Sequence, residues 1–116
     1  MSDPLRVLII EDSVLDAKVL VGLLQNGGYK IDSERVETAP EFSEAIQRRK
    51  WDIILADYNL PEFNGPEALL LLQESERDIP FIVISGGIGE DLAVQIMKSG
   101  AHDYLMKGNL ARLVPA

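Results

Sequence analysis

Four short apolar runs in this 116-residue chain each end beside a side chain that could take part in phosphoryl chemistry. Short apolar runs bounded by turn residues are typical of strands buried on both faces of a parallel sheet. The carboxyl ends of such strands line the ligand crevice of the sheet. The side chains that follow the runs at 8–10, 53–56, 81–84 and 104–106 are Glu11 with Asp12, Asp57, Ser85 and Lys107. We therefore expect carboxylates, a hydroxyl and an ammonium group to meet at one site, which would suit a divalent cation and a phosphoryl group.

The carboxylates of this predicted site are oxygen ligands of the kind that magnesium prefers. Asp12 and Asp57 would supply them, with Glu11 acting directly or through water. Two carboxylates about 4 Å apart repel by about 4 kcal/mol at an effective dielectric constant of about 20, so a cation or a lysine should compensate them. Lys107 can do so and can also hold a phosphoryl oxygen. Asp57 is the candidate nucleophile, because carboxylates form acyl phosphates, and Ser85 offers a hydroxyl donor to the transferred phosphate.

The elements that must position these groups alternate between strand and helix. Strands are predicted over 5–10, 32–37, 51–56, 81–84 and 102–106, and helices over 14–25, after the capping residue Thr38, over 68–74 and from 90 onward. Such alternation predicts an α/β fold with right-handed crossovers.

Helical spacing of apolar residues also predicts which helix faces are buried. The inward residues are expected to be Leu15, Val19, Leu20, Leu23 and Leu24 in the first helix, Phe42, Ala45 and Ile46 in the second, and Leu92, Ala93, Ile96 and Met97 in the fourth.

Composition excludes several classes of protein. A formal net charge of −8 argues against a direct nucleic-acid partner, because backbone binding needs clustered Lys and Arg. The absence of cysteine and the single histidine argue against a disulfide framework and a histidine-based zinc site. No apolar run approaches the roughly 20 residues that span a bilayer, and the polar start is not a signal peptide. We therefore expect a cytoplasmic protein with no membrane partner.

The end of the sequence is unusual for an α/β fold of this kind. Only a short segment, which includes Pro115, follows Lys107. A fifth helix of ordinary length does not fit in it. We therefore expect a truncated fifth helix and a natural protein that continues beyond Ala116.

Taken as a set, the motifs resemble those of the receiver domain of two-component response regulators. They are the acidic pair Glu11-Asp12, the stretch 57–61 (Asp-Tyr-Asn-Leu-Pro) with Gly65, Ser85, and the stretch 100–107. The resemblance covers essentially all of residues 5–114. It implies a flavodoxin-like, doubly wound, five-stranded parallel sheet in the order 2-1-3-4-5. It also implies that residues 1–116 form one receiver domain, which we expect to be the N-terminal part of a longer signalling protein.

The resemblance implies a phosphorylation site and a cofactor. Asp57 would accept a phosphoryl group from a phosphohistidine on a histidine kinase or a histidine phosphotransfer protein. Asp12, Asp57 and the backbone carbonyl of Asn59 would hold Mg²⁺, with Glu11 assisting. Catalysis would be limited to this self-directed phosphotransfer and to autodephosphorylation.

The resemblance further implies a switch. Ser85 and Lys107 would bind the phosphoryl oxygens, and Tyr104 would be the aromatic residue that turns inward when Ser85 moves. The surface of the fourth helix and fifth strand would change in consequence. Its partner would be an output domain or a second copy of the chain.

Two positions depart from the family pattern. Gly108 stands where the family usually has a proline joined by a cis peptide, so we expect a trans peptide and a looser loop there. Gly86-Gly87 follows Ser85 where alanine is usual, which adds backbone freedom to the switch loop.

Three alternatives stay open at this point. One is a metal-dependent phosphohydrolase with an aspartate nucleophile, although such enzymes usually carry the nucleophile on the first strand and add a cap. Another is a degenerate receiver that binds partners without phosphorylation. A third is a flavodoxin-like cofactor binder, which Glu11 and Asp12 disfavour because they would repel a phosphate.

Overall fold

The computed structural model describes residues 4–57, 63, 65–85 and 89–106. Nine elements follow one another as strand and helix in strict alternation. They are β1 (Leu5–Ile10), α1 (Val14–Asn26), β2 (Ile31–Val36), α2 (Ala39–Arg48), β3 (Ile53–Asp57), α3 (Gly65–Glu74), β4 (Phe81–Ser85), α4 (Gly89–Lys98) and β5 (Asp103–Met106). The predicted alternation is confirmed. At the majority of element ends, the observed boundary differs from the predicted one by one to three residues.

All five strands form one parallel sheet in the order β2-β1-β3-β4-β5, as the family resemblance implied. The register brings the strand ends level with one another. Ile10 lies opposite both Val36 and Ala56, and Asp57 lies opposite Ile84. The polar residues at the ends of β1, β3 and β4 therefore share one edge of the sheet, which we call the carboxyl edge. The edge where the strands begin is the amino edge.

Apolar side chains cover both faces of the sheet, which explains why its strands are continuous apolar runs. On one face, α2, α3 and α4 contribute to a core that includes Phe42, Leu72 and Ile96. On the other face, α1 packs Leu20 and Leu24 against the sheet. The prediction for α2 is confirmed, because Phe42, Ala45 and Ile46 are buried. Among the described residues, no helix combines the length and the apolar content needed to cross a membrane.

Local capping explains where α1 and α2 begin. The Ser13 hydroxyl accepts a hydrogen bond from the Asp16 backbone N–H at 3.2 Å. The predicted cap at Thr38 is confirmed, since its hydroxyl accepts from the Glu41 N–H at 3.3 Å. The Glu41 carboxylate in return accepts from the Thr38 hydroxyl at 3.2 Å and from the Glu37 N–H at 3.0 Å, so the cap is reciprocal.

The predicted inward face of α1 is partly wrong. Leu15 is 74% exposed and Val19 is 55% exposed, whereas Ala17, Leu20 and Leu24 are buried. Successive residues turn by about 100° around a helix, so Leu15 and Val19 lie opposite the line of Ala17 and Leu20. The side of α1 that carries Ala17, Leu20 and Leu24 is therefore the one that packs against the sheet.

Two smaller predictions are also corrected. Met97 is 39% exposed on α4, although Ile96 beside it is buried as expected. Trp51 is buried but precedes β3 instead of starting it. Its indole N–H donates to the Ala45 carbonyl at 2.9 Å, so its burial comes from packing against α2 and not from the sheet. Between Asp57 and α3 only Phe63 is described, and the Gly108 peptide lies outside the described residues.

Candidate functional site

Three of the predicted site residues lie buried together at the carboxyl edge. Glu11 directly follows β1, Asp57 ends β3 and Ser85 ends β4. They are 2%, 8% and 0% exposed, and they are the buried polar or charged residues of the described chain. Burying a charged or polar group is costly unless other groups compensate it. That all three lie at the same edge of an otherwise apolar sheet indicates a candidate site.

Glu11 is the most perturbed carboxyl group of this site. Burial, together with hydrogen bonding to the carboxyl groups of Asp57 and Asp12, raises the pKa of Glu11 to about 8, whereas the Ser13 backbone N–H acts in the opposite direction. That N–H donates to Glu11 Oε1 at 3.1 Å. The raised pKa therefore favours the protonated form of Glu11 at neutral pH.

This proton changes the expected electrostatics of the site. The sequence suggested repelling carboxylates that need a cation or a lysine for compensation. In the folded protein a proton on Glu11 relieves part of that repulsion at neutral pH. A metal ion that bound here would take the place of the proton.

Asp12 differs from its neighbour because it is exposed. It lies between Glu11 and Ser13, the residue that caps α1. One carboxyl group of the acidic pair is thus buried against Asp57, and the other faces solvent at the opening of the site.

The donor set can be tested against the chemistry of magnesium. Among the residues that the structure describes, no three His, Cys, Asp or Glu side chains are grouped so as to enclose a metal ion. Magnesium usually takes only one or two carboxylates and keeps several waters. The carboxylates of Asp57 and Asp12, with Glu11 beside them, fit that requirement, whereas they would not form a closed protein cage.

Backbone and side-chain contacts from β2 hold Glu11, the residue with the raised pKa. The Glu11 N–H donates to the Val36 carbonyl at 3.1 Å. Arg35 Nη1 donates to the Glu11 carbonyl oxygen at 3.1 Å and forms an ion pair with Glu37. Sequence reasoning missed Arg35. The only available signal was a cationic residue near the end of an edge strand that is otherwise rich in acidic residues.

Tyr104 lies in β5, opposite Val83 of β4. It is half-buried and packs against the core on the α2–α4 face. Its place on the strand next to the one that ends in Ser85 is compatible with the predicted switch role, which stays a prediction.

Two predicted site residues, Asn59 and Lys107, lie outside the described residues, as do Gly86 and Gly87. Their roles stay predictions.

The amino edge of the sheet carries an open cleft of about 920 Å³, which is lined by residues that include Arg6, Tyr29, Lys30 and Asp52. The acidic residues of the carboxyl edge are not part of it. The chemistry of the side chains, and not the size of the cleft, locates the candidate site.

Comparison with known proteins agrees with the geometry. A family model described as the response regulator receiver domain matches residues 7–116. The regulatory protein LuxO of Vibrio cholerae is 36% identical over 77 residues, which are 66% of this chain and 17% of LuxO. The virulence transcriptional regulatory protein PhoP of Salmonella typhimurium is 30% identical over 103 residues, which are 89% of this chain and 45% of PhoP. The chain thus spans less than half the length of these relatives.

Solved structures match as well. The signal receiver domain of a LuxO repressor protein from Vibrio parahaemolyticus has a TM-score of 0.82 at 29% sequence identity, and the match covers 96% of this chain and 85% of that domain. Because the family model covers all but residues 1–6 of the chain, this protein belongs to the receiver domain family of response regulators.

Proposed function

We propose that this chain is a phospho-accepting receiver of two-component signal transduction in which Asp57 takes the phosphoryl group. The observation that carries the proposal is the joint burial of Glu11, Asp57 and Ser85 at the carboxyl edge, in a chain of the receiver family. As a receiver, the chain is a signalling domain and not an enzyme that turns over external substrates, so the phosphohydrolase and cofactor-binding alternatives are not favoured.

The phosphoryl donor is a phosphohistidine on a histidine kinase or a histidine phosphotransfer protein. A carboxylate oxygen of Asp57 attacks the phosphorus atom, an O–P bond forms, and the P–N bond to the imidazole breaks. Asp57 is only 8% exposed. Its burial limits access of water to the acyl phosphate, which favours transfer over immediate hydrolysis.

Mg²⁺ is the proposed cofactor, held by Asp12, Asp57 and the backbone carbonyl of Asn59, with Glu11 acting directly or through water. When bound, it neutralises carboxylate charge and draws electron density from the phosphoryl group. The protein residues have a separate task. The Asp57 carboxylate supplies the attacking oxygen, and Glu11 lies beside it.

Ser85 and Lys107 are the proposed contacts of the transferred phosphoryl oxygens. Phosphorylation adds a charge of about −1.5 to −2 at the carboxyl edge. Movement of Ser85 toward it would open space for Tyr104 to turn inward, and the surface of α4 and β5 would change. The partner of that surface is an output domain or a second copy of the chain.

Phosphorylation of Asp57 is tested by intact mass after incubation with acetyl phosphate and Mg²⁺. We expect a single phosphoryl adduct on the wild type and none on Asp57→Asn. The matched control is Asp52→Asn. It makes the same substitution at the amino edge of the sheet, just before β3, and should leave the adduct intact.

The control separates a lost acceptor from a damaged fold. An adduct that survives in Asp57→Asn would contradict the assignment of Asp57. No adduct on the wild type, at any time or Mg²⁺ concentration, would favour a degenerate receiver that binds its partners without phosphorylation.

A further inference from the structure

Glu11 is bound to β2 through both of its backbone polar groups. The ladder between β1 and β2 ends at the Ile10–Val36 pair. Beyond it, the Glu11 N–H still reaches the Val36 carbonyl at 3.1 Å. The Glu11 carbonyl oxygen receives its hydrogen bond from the side chain of Arg35, at 3.1 Å, over a separation of 24 residues in sequence.

The Arg35 side chain is itself held in place. Its Nη1 forms an ion pair with Glu37, and the Glu37 backbone N–H donates to Glu41 in the cap of α2 at 3.0 Å. Arg35 therefore connects the start of α2 with the turn that follows β1.

The same turn continues into α1 through further hydrogen bonds. Glu11 Oε1 accepts from the Ser13 N–H at 3.1 Å, and the Ser13 hydroxyl caps α1. Asp12 lies between these two anchored residues, so the direction of its exposed carboxylate depends on how firmly Glu11 and Ser13 are held.

We propose that Arg35 is a positioning residue of the acidic site, which fixes the backbone of Glu11 and thereby aims the Glu11 and Asp12 carboxyl groups for Mg²⁺. This inference rests on the proposed function, because it concerns the metal that phosphoryl transfer would use. Arg35 acts through hydrogen-bond geometry, and the neighbouring Glu37 offsets its charge.

The proposal predicts that removal of Arg35 changes the Mg²⁺ affinity in the opposite direction from the change expected of a purely electrostatic role. An arginine that acted only through its charge would repel a cation, so its removal would tighten Mg²⁺ binding. A positioning arginine does the opposite, because loss of an outer support of a metal ligand typically weakens metal binding by about tenfold or more.

The test measures the Mg²⁺ dissociation constant by calorimetry on the whole chain. Arg35→Ala should weaken Mg²⁺ binding by about tenfold. Arg35→Lys should weaken it by a similar factor, because the lysine ammonium group ends one bond short of Nη1, the atom that makes both contacts of Arg35. Backbone amide resonances of residues 11–13 should shift in both variants.

Arg48→Ala is the matched control. Arg48 ends α2 and pairs with Glu34 of β2, so it makes the same kind of ion pair from the far end of the helix. Its substitution should leave Mg²⁺ affinity within about twofold of the wild type, since exposed pairs of this kind contribute little.

Several outcomes would overturn the proposal. They are tighter binding in Arg35→Ala, full recovery of affinity in Arg35→Lys, or equal losses in Arg35→Ala and Arg48→Ala. Unchanged affinity in Arg35→Ala with normal phosphorylation of the wild type would reject only the role of Arg35. A wild type that neither binds Mg²⁺ nor accepts phosphate would reject the proposed function together with it.

Discussion

The pKa values of carboxyl groups at the two edges of the sheet are shifted in opposite directions. At the amino edge, Asp52 accepts from Arg6 Nε and Nη2, both at 3.2 Å, and from the Arg6 backbone N–H at 2.8 Å. These hydrogen bonds hold the pKa of Asp52 below its ordinary value of 3.8. At the carboxyl edge, burial and two neighbouring carboxyl groups raise the pKa of Glu11 to about 8.

This difference distinguishes a carboxylate paired with an arginine from a carboxyl group buried beside other carboxyl groups. Asp52 has its cation in the same chain, so the pair closes the start of β1 and β3. Glu11 instead lies against the carboxyl groups of Asp57 and Asp12. A buried carboxyl group with a raised pKa is typical of functional sites.

The largest expected difference between the edges is in the response of stability to pH. The folded-state pKa of Glu11 lies above its ordinary value of 4.5. Its contribution is therefore fully present below about pH 4.5 and is lost as the pH rises through 8. In chelator, the free energy of unfolding of the wild type should fall by up to a few kcal/mol between pH 5 and 9.

Glu11→Gln should remove most of this slope, since an amide does not titrate. Urea denaturation followed by the fluorescence of Trp51, the single tryptophan, measures both proteins at each pH. Parallel pH dependences for wild type and Glu11→Gln would show that the buried proton is not on Glu11.

A smaller effect is expected at the amino edge, where the dependence of stability on pH has the opposite direction. Asp52→Asn should cost about 1 kcal/mol at pH 7, because the Arg6–Asp52 side chains are about one-third exposed and solvent screens the pair. The folded-state pKa of Asp52 is lowered, so its contribution is present above the unfolded value and is lost as the pH falls through the folded one. The difference from wild type should therefore be constant from pH 6 to 9 and shrink below about pH 4 in the same urea experiment.

A penalty that persisted undiminished at low pH would mean that Asp52 acts through packing and not through its charge. Arg6→Met serves as the control, because it removes the cation while keeping much of the side-chain volume. Asp52→Asn should cost less in that background than in the wild type.

The smallest expected effect concerns the amino edge at β4 and β5. The Phe81 N–H donates to His102 Nδ1 at 2.9 Å, and the His102 N–H donates to the Phe81 carbonyl at 2.8 Å. His102→Leu should lower the free energy of unfolding by about 0.5–1 kcal/mol, because the Phe81 N–H loses its side-chain acceptor. Thermal and urea unfolding at pH 8 measure the change.

His102→Asn is the matched variant, since its side-chain oxygen can accept from the same N–H. It should recover most of the loss. Equal destabilisation by Leu and Asn would indicate that water replaces the acceptor and that this part of the amino edge depends on packing alone.

Much of the fold could be predicted because burial on both faces leaves a strong pattern in sequence. The apolar runs before Glu11, Asp57 and Ser85 located β1, β3 and β4, and parallel pairing placed their ends together. The same reasoning wrongly predicted that Leu15 and Val19 are buried. The spacing of apolar residues does not specify which of several apolar stripes of a helix packs against the sheet.

The amino-acid sequence alone therefore determined the order of elements, the parallel sheet and the acidic residues at the strand ends, because these follow from periodicity and from the positions of strand ends. Only the tertiary structure decided the rotation of α1, the burial of Glu11 beside an exposed Asp12, the raised pKa of Glu11 and the contacts of Arg35 and Asp52. Each of these depends on distances between atoms far apart in the chain, such as the 46 residues between Arg6 and Asp52. Hydrogen bonding and desolvation act over a few ångströms, and only the folded chain sets separations of that size.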